Sequence, residues 1–419
     1  MSGRITDEKS HADVHPRTAV LTRGFEPRLS FGSARPAVFR SSTYVFETPE
    51  AAERAFAITT GKIRPAAGER ADLIYSHFSH PNAEILEDQI VPLEAGAVEA
   101  AVFNSGMAAI MTAFFAFARP GGSIIYTTPL YGGTTGLIHT FLEPFGVRGV
   151  PVPSGDAGRL EEAIANSQNC AIVYLETPAN PTLIMTDIEL AAAAARKHPA
   201  RPVVMVDNTF LGPAFQHPLL LGADLVLYSA TKYLSGFSDM VAGVAIGNSA
   251  ETIGKIRSRR GMFGNILQPD ECWMLDSRLP TVSLRMNRQS KNAQRLAEAL
   301  AGHRRLSRVI YPTLFTDPEQ RRIFEKQCAY PGGLFSLEFR GGKPAAFEFL
   351  RHLRIARNAV SLGSVETLVC HPKSTTHSGM SAEELADSGV TDGLVRVSAG
   401  IEDWRDLLAD FEQALAAVE

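Results

Sequence analysis

Cysteine, tryptophan and excess charge of either sign are all scarce in this chain of 419 residues. It has four cysteines and two tryptophans, and its 41 basic and 45 acidic residues leave a formal net charge of −4. A chain without a large positive charge is not expected to bind nucleic acid. The cysteines lie far apart and share no ligand spacing with histidines, which predicts free thiols, no metal site and a reducing compartment.

Long apolar segments are also absent. The most apolar stretch, Met107–Ala118, covers about 12 residues and is interrupted by Thr112, whereas a helix that spans a bilayer needs about 20. Residues 1–15 are polar and contain no apolar segment of the kind found in secretory signals. We therefore expect no membrane association and a cytoplasmic location.

The middle of the chain, residues 71–270, contains short apolar segments that alternate with helical patterns. Such a pattern predicts a mostly parallel sheet with helices on both faces, in which ligands bind beyond the carboxyl ends of the strands. The predicted strands are Ala101–Asn104, Ser123–Thr127, Ala171–Glu176, Val203–Asp207, Asp224–Ser229 and Val241–Ile246. The predicted helices are Gly106–Ala118, Thr135–Glu143, Ala157–Asn166 and Asp187–Lys197.

The two ends of the chain differ from this α/β pattern. Residues 1–70 are rich in proline and include most of a polar stretch, Thr59–Asp72, which predicts an arm that packs on another domain or on a neighbouring subunit. Residues 271–419 predict a smaller α+β domain, because a long helical pattern at 270–302 is followed by short strands mixed with helices. These elements are Leu334–Phe339, Ala345–Leu353, Val395–Ser398 and Asp403–Ala417.

Two charged residues follow neighbouring predicted strands. Lys232 comes shortly after the strand that ends at Ser229, and Asp207 ends the strand before it. A lysine is usually exposed, but burial would lower its pKa and favour covalent chemistry with a carbonyl group. Asp207 could simply cap a turn, or it could pair with a protonated ring nitrogen. Together the two residues favour catalysis with pyridoxal 5′-phosphate (PLP). The lysine would react with its carbonyl group, and the aspartate would pair with its ring nitrogen.

A candidate phosphate site lies where a strand meets an apolar helix. Ser105, Gly106 and Met107 would present free backbone N–H groups at a helix N-terminus, although a plain serine cap is the alternative. No dinucleotide or P-loop motif follows a strand, which argues against a nucleotide-binding oxidoreductase.

Four further residues have both a structural and a functional interpretation. Glu176 follows a strand and Asn180 lies between two prolines, so both could belong to an ordinary turn. Tyr131 precedes two glycines and could stack on a planar cofactor or lie on the surface. Arg396 lies in an apolar strand, where a buried guanidinium needs an anionic partner such as an internal carboxylate or a substrate carboxylate.

Taken together, these segments resemble the Cys/Met-metabolism family of PLP-dependent enzymes. The family includes cystathionine γ-synthases, cystathionine lyases, methionine γ-lyases and O-acylhomoserine sulfhydrylases. The resemblance extends from about Arg35 to Ala417. It rests on the segments NSGMAAI, ETPANPT, VDNTFLGP, YSATKYLSGFSD, SLGSVETLVCHPKSTTHSG and VRVSAGIED.

The resemblance implies the fold of aspartate aminotransferase, called fold type I, with a large sheet domain and a smaller C-terminal domain. Lys232 would hold PLP covalently, Asp207 would pair with the ring nitrogen, and Tyr131 would stack on the ring and take part in proton transfer. Other implied cofactor contacts are Ser105, Gly106, Met107, Asn180, Ser229 and Thr231. Arg396 and Ser361 would bind the substrate carboxylate. The family forms dimers and tetramers, with active sites at the subunit interface.

Three positions depart from the patterns of the family. The family usually has Tyr-x-Arg where this chain has Tyr75-Ser76-His77, and both family residues reach the phosphate in the neighbouring subunit. Histidine carries less charge at neutral pH, so we expect weaker or pH-sensitive cofactor retention. Gly133 replaces a cysteine frequent in methionine γ-lyases, and Val360 replaces a glutamate frequent in cystathionine lyases.

Neither specialised lyase pattern is therefore complete. The sequence favours replacement of the γ-substituent of an O-acylated homoserine by a thiol, the reaction of cystathionine γ-synthases and O-acylhomoserine sulfhydrylases. The alternatives are γ-elimination of the methionine γ-lyase type, which yields 2-oxobutanoate, ammonia and a thiol, and β-elimination of cystathionine. A non-catalytic PLP-binding or assembly protein is disfavoured, because Lys232, Asp207, Tyr131 and Arg396 are all present.

Overall fold

The computed structural model describes residues 14–66 and 71–418. The first 13 residues of the predicted arm, part of its polar stretch (67–70) and residue 419 lie outside the described residues. In the described part of the chain, no helix is both long enough and apolar enough to cross a membrane.

A seven-stranded sheet forms the centre of the larger half of the molecule. Its spatial order is β1-β7-β6-β5-β4-β2-β3. The five strands from β6 to β3 in this order are parallel, whereas β7 runs antiparallel to both of its neighbours. The strands are β1 (Glu99–Phe103), β2 (Ser123–Thr128), β3 (Arg148–Pro153), β4 (Cys170–Glu176), β5 (Val203–Asp207), β6 (Leu225–Ser229) and β7 (Gly243–Gly247).

The prediction of a mostly parallel sheet is confirmed, and one of its strands was missed. Strand β3 contains Gly149, Pro151 and Pro153, residues that are depleted in strands. It pairs only with β2 at the edge of the sheet, where a proline removes no hydrogen bond that the sheet needs.

Helices surround the two sheets. The predicted helix Thr135–Glu143 begins earlier than expected, at Gly132, and continues as a π-helical segment, Leu137–Leu142. The helical pattern at 270–302 is divided in two near Pro280. The α-helices are α1 (Pro16–Thr22), α2 (Pro49–Thr59), α3 (Pro81–Ile90), α4 (Gly106–Phe117), α5 (Gly132–Gly136), α6 (Ala157–Asn166), α7 (Ile188–Lys197), α8 (Ala250–Phe263), α9 (Pro269–Arg278), α10 (Val282–Leu300), α11 (Pro318–Gln327), α12 (Gly342–His352), α13 (Ala382–Asp387) and α14 (Trp404–Ala416).

A second, five-stranded sheet lies in the C-terminal part of the chain, with the order β10-β11-β12-β9-β8. Helices α10, α12 and α14 pack on it around Phe335, Phe349 and Phe411. Its strands are β8 (Leu306–Ile310), β9 (Leu334–Phe339), β10 (Arg357–Asn358), β11 (Leu368–Cys370) and β12 (Leu394–Ser398). The molecule is thus an α/β protein with a large mixed sheet and a second, smaller sheet, as the sequence predicts.

The N-terminal segment contacts helix α9 of the same chain. Arg40 forms an ion pair with Asp270, and the indole N–H of Trp273 donates to the carbonyl of Pro36 at 2.9 Å. The division into an arm of residues 1–70, a large domain of residues 71–270 and a small domain of residues 271–419 stays a prediction, as does the contact of the arm with a second subunit.

Candidate active site

A cavity of about 300 Å³ lies at the carboxyl edge of the large sheet. Strands β4, β5 and β6 end there, α4 begins there, and β12 of the second sheet contributes Arg396. The side chains around it are Ser105, Gly106, Met107, Ile110, Tyr131, Glu176, Asn180, Asp207, Thr209, Phe210, Ser229, Thr231, Lys232, Val241, Ser361, Leu362, Thr376 and Arg396.

Lys232 lies in this cavity, between β6 and β7. Its ammonium Nζ donates to the hydroxyl of Ser361 at 2.9 Å. Burial, together with the positive charge of Arg396, lowers the pKa of Lys232 to about 8. At pH 7 about a tenth of the amine is therefore uncharged, far more than in an ordinary lysine.

Ser361 is held in an unusual backbone conformation between two cationic side chains. Its φ is 92°, a value that L-residues rarely adopt and that costs on the order of 1–3 kcal/mol. Its hydroxyl accepts from Lys232, and its carbonyl accepts from Nη2 of Arg396 at 2.7 Å. These contacts keep the strained loop directed at the cavity.

Arg396 is 3% exposed and is bonded to neutral groups. Besides the Ser361 carbonyl, its Nη1 donates to Oδ1 of Asn180 at 3.0 Å. Within residues 14–66 and 71–418 no carboxylate forms an ion pair with it, although such a partner is normal for a buried guanidinium. The arrangement is suited to an anionic ligand.

Two carboxyl groups lie next to each other across β4 and β5, where Glu176 and Asp207 are in register. Asp207 accepts from the backbone N–H of Thr209 at 3.0 Å and from the Tyr174 hydroxyl at 3.3 Å. Burial raises the pKa of Asp207. Burial and then the charge of Asp207 raise the pKa of Glu176. The two carboxyl groups can therefore share a proton, or one of them can pair with a cationic group.

The N-terminus of α4 forms the opposite wall. Ser105 caps the helix by accepting from the Ala108 N–H at 3.0 Å. A Cβ at Gly106 would lie 3.0 Å from Cα and Cβ of Ser229, which is tighter than most Cβ contacts, so glycine lets β6 approach the helix without displacement. Backbone donors and hydroxyl groups thus meet at the N-terminus of a helix of twelve residues. This arrangement favours the binding of an anion.

Of the residues that the sequence predicts, only Tyr75 and His77 are not brought to this cavity. They lie before α3 and contact each other, with ring centroids 5.2 Å apart. Tyr131 lies at the mouth of the cavity and is 48% exposed.

Sequence reasoning did not select several residues of the cavity. Glu176 has both a structural and a functional interpretation in the sequence, and Thr209 was within reach because it lies in the segment VDNTFLGP. Thr209 accepts from the backbone N–H of Ser229 at 2.9 Å and so joins β5 to β6. The others, Ile110, Phe210, Val241, Leu362 and Thr376, carry no local signal of a site.

The side chains of the cavity fit PLP. A partly uncharged amine on Lys232 suits the aldehyde, and a buried carboxyl on Asp207 suits the ring nitrogen. The backbone around Gly106 at the start of α4 would receive the phosphate, because it combines a helix N-terminus with the close approach of Ser229.

Comparisons with known proteins agree with this match. The L-methionine gamma-lyase of Pseudomonas putida is 39% identical to this chain over 402 residues, which is 96% of this chain and 97% of that protein. The cystathionine beta-lyase MetC of Bacillus subtilis is 37% identical over 344 residues, which is 82% of this chain and 86% of that protein.

A solved structure extends the likeness to the fold. The cystathionine gamma synthase of Xanthomonas oryzae pv. oryzae, crystallised with cystathionine, matches with a TM-score of 0.88 and 31% identity, over 97% of this chain and 99% of that one. It is a fold type I PLP enzyme. The model of the Cys/Met metabolism PLP-dependent enzymes matches residues 17–416. This chain therefore belongs to the Cys/Met metabolism family of PLP-dependent enzymes.

Proposed function

We propose that this enzyme is a carbon–sulfur lyase that removes the γ-substituent of an L-methionine-like amino acid. With methionine and water, the products are 2-oxobutanoate, ammonia and methanethiol. The relatives support elimination over the γ-replacement that the sequence favours, since the methionine gamma-lyase of P. putida is 39% identical and the synthase structure 31%. The observation that carries the proposal is an uncharged groove at the mouth of the cavity.

The substrate α-carboxylate binds at Arg396. This guanidinium is buried, is bonded to the neutral oxygens of Asn180 and Ser361, and has room for an anion on the cavity side. A bidentate contact with a carboxylate would compensate its charge and fix the direction of the Cα–H bond.

Lys232 moves the protons. Its amine has a pKa of about 8, so near neutral pH it can take a proton from Cα and later from Cβ, and it can return one. Bound PLP supplies the electron sink for the negative charge that develops at Cα. Asp207 keeps the ring nitrogen protonated, which that sink requires. Tyr131, at the mouth of the cavity, is placed to give a proton to the departing sulfur.

The groove that receives the departing group carries no charge. It adjoins the cavity at Tyr131 and Thr376, and its other lining residues are Gly132, Gly133, Val360, Thr375 and Gly379. A methylthio group fits such surroundings. The distal ammonium and carboxylate of cystathionine would meet no charged partner among these residues.

A second candidate is γ-replacement on an O-acylated homoserine. Gly133 favours it, because the cysteine frequent in methionine γ-lyases is missing there. A Cβ at this position would lie 2.7 Å from Cε1 of Tyr131 and 3.0 Å from Sδ of Met107, so the present packing excludes a side chain. Both reactions include loss of the γ-substituent and differ in whether a thiol then adds.

A product assay separates the two reactions. The PLP-loaded enzyme is given methionine in one tube and O-acetyl- or O-succinyl-homoserine with cysteine or sulfide in another. We expect 2-oxobutanoate from methionine to exceed thioether or homocysteine from the second tube, and Lys232→Ala to abolish both. An excess of thioether or homocysteine would instead establish a γ-replacing transferase.

The lowered pKa of Lys232 predicts how fast the apoenzyme takes up PLP. With a pKa of about 8, the uncharged fraction of the amine rises roughly tenfold between about pH 7 and about pH 9 and then levels off. An unperturbed lysine would give a rise of about a hundredfold with no plateau. Stopped-flow absorbance in the visible band measures the rate. The steeper, unlevelled profile would rule out the lowered pKa.

This chain has His77 where the family usually has arginine, and we expect retention of PLP to depend on pH as a result. The expectation rests on the inference that His77 reaches the phosphate in a second subunit of a dimer or tetramer. A histidine loses its positive charge as the pH rises through neutrality, so the dissociation constant of PLP should increase from pH 6 to pH 8. His77→Arg should lower the constant and flatten its pH dependence. If His77→Arg has the same dissociation constant as the wild type at each pH from 6 to 8, His77 has no such role.

A further inference from the structure

One buried carboxyl group joins the two loops that frame the cavity. Glu176 is 5% exposed and ends β4. Its Oε2 accepts from the backbone N–H of Tyr131 at 2.8 Å, and the backbone N–H of Asn180 also donates to it. The contact with Tyr131 crosses from β4 to the loop that follows the neighbouring strand β2.

The side chain of Tyr131 has few restraints of its own. Its ring is half exposed, two glycines follow it, and it stands before a helix of five residues without capping that helix through its side chain. Its backbone is held on both sides. The carbonyl of Tyr131 accepts from the backbone N–H groups of Thr134 and Thr135 at 2.8 and 3.2 Å. Its N–H donates to Glu176 at 2.8 Å, which is the one of these contacts that lies outside the helix. The direction in which the ring leaves the backbone therefore depends in part on Glu176.

We propose that Glu176 is a positioning residue, which holds the backbone of Tyr131 at the cavity so that its ring covers the cofactor. It acts through Tyr131 and does not itself exchange protons with the substrate. The inference rests on membership of the PLP family and on no choice between elimination and replacement.

The protonation state of Glu176 sets the choice of variants. Burial and the neighbouring Asp207 raise the pKa of Glu176, so its carboxyl tends to be neutral when Asp207 is ionised opposite a protonated ring nitrogen. A neutral carboxyl and an amide both offer one carbonyl oxygen to backbone N–H groups. Glutamine should therefore replace Glu176 in this role, and alanine should not.

The test compares Glu176→Gln with Glu176→Ala in two measurements that need no turnover. These are the dissociation constant of PLP and the visible circular dichroism of the bound cofactor, which reports the asymmetry of the ring environment. We expect the constant to rise about tenfold and the dichroism to fall in the alanine variant. The glutamine variant should stay within about twofold of the wild type. An unchanged constant in Glu176→Ala would overturn the proposal.

Asp410 offers a matched control. It is 4% exposed and accepts from the backbone N–H groups of Arg354, Ile355 and Ala356, but it lies on α14, away from the cavity. Asp410→Asn should lower the midpoint of urea unfolding and leave the PLP constant and the dichroism unchanged. If Asp410→Asn weakens PLP binding as much as Glu176→Ala does, general loss of stability explains the result and the proposal fails.

A double-mutant cycle with Tyr131→Ala tests the route of the effect. If Glu176 acts through the Tyr131 ring, Glu176→Ala should change the PLP constant by about threefold or less once that ring is gone. Fully additive effects would contradict the proposal. Should Glu176→Ala fail to fold, Glu176→Asp takes its place, because the shorter side chain withdraws the acceptor from Tyr131.

Discussion

The hydrogen bonds of Arg396 join the two sheets across the cavity, and the remaining geometry of the site depends on them. Arg396 belongs to β12 of the small sheet, whereas its partner Asn180 follows β4 of the large one. Through Ser361 the same guanidinium is connected to Lys232. Because Arg396 is buried, loss of either acceptor would leave part of its guanidinium unpaired at a large desolvation penalty.

The same burial gives the site its chemistry. Two cationic and two acidic side chains share a cavity of about 300 Å³. Burial shifts the pKa of Lys232, Glu176 and Asp207, and the charge of Arg396 adds to the shift of Lys232 as that of Asp207 does to the shift of Glu176. The amine of Lys232 becomes partly neutral, and the carboxyls of Glu176 and Asp207 become harder to ionise. A cationic ring nitrogen at Asp207 and a carboxylate at Arg396 would restore the balance, and an amino-acid substrate on PLP supplies both.

Much of this arrangement could be predicted from the sequence, because parallel strands bring their carboxyl ends to one edge. The apolar segments that end at Asp207 and Ser229 are continuous and end in polar residues, so the sheet and its ligand edge follow from local pattern. The edge strand Arg148–Pro153 was hidden by its glycine and prolines. The contact between Glu176 and Tyr131 could not be predicted, because it depends on the register of β2 and β4 and on how the loop after β2 closes.

The residues around the cofactor site do not by themselves determine whether the enzyme eliminates or replaces the γ-substituent. The roles that we propose for Lys232, Asp207 and Arg396 would serve any reaction that begins by removing the Cα proton, so these residues do not separate lyases from synthases. The separation rests on the surroundings of the departing group, where Gly133 and Val360 leave a groove without charge. That groove is formed by loops, which local sequence patterns describe less well than strands.

The most direct measurement is to find the residue that carries the cofactor. Borohydride reduction of the PLP-loaded enzyme would make the bond permanent, and mass spectrometry of its peptides would then locate the phosphopyridoxyl group. We expect the modification on the peptide that contains Lys232 and on no other lysine. Modification of a different lysine, or none in a protein that retains the visible band, would contradict the assignment of this cavity as the active site.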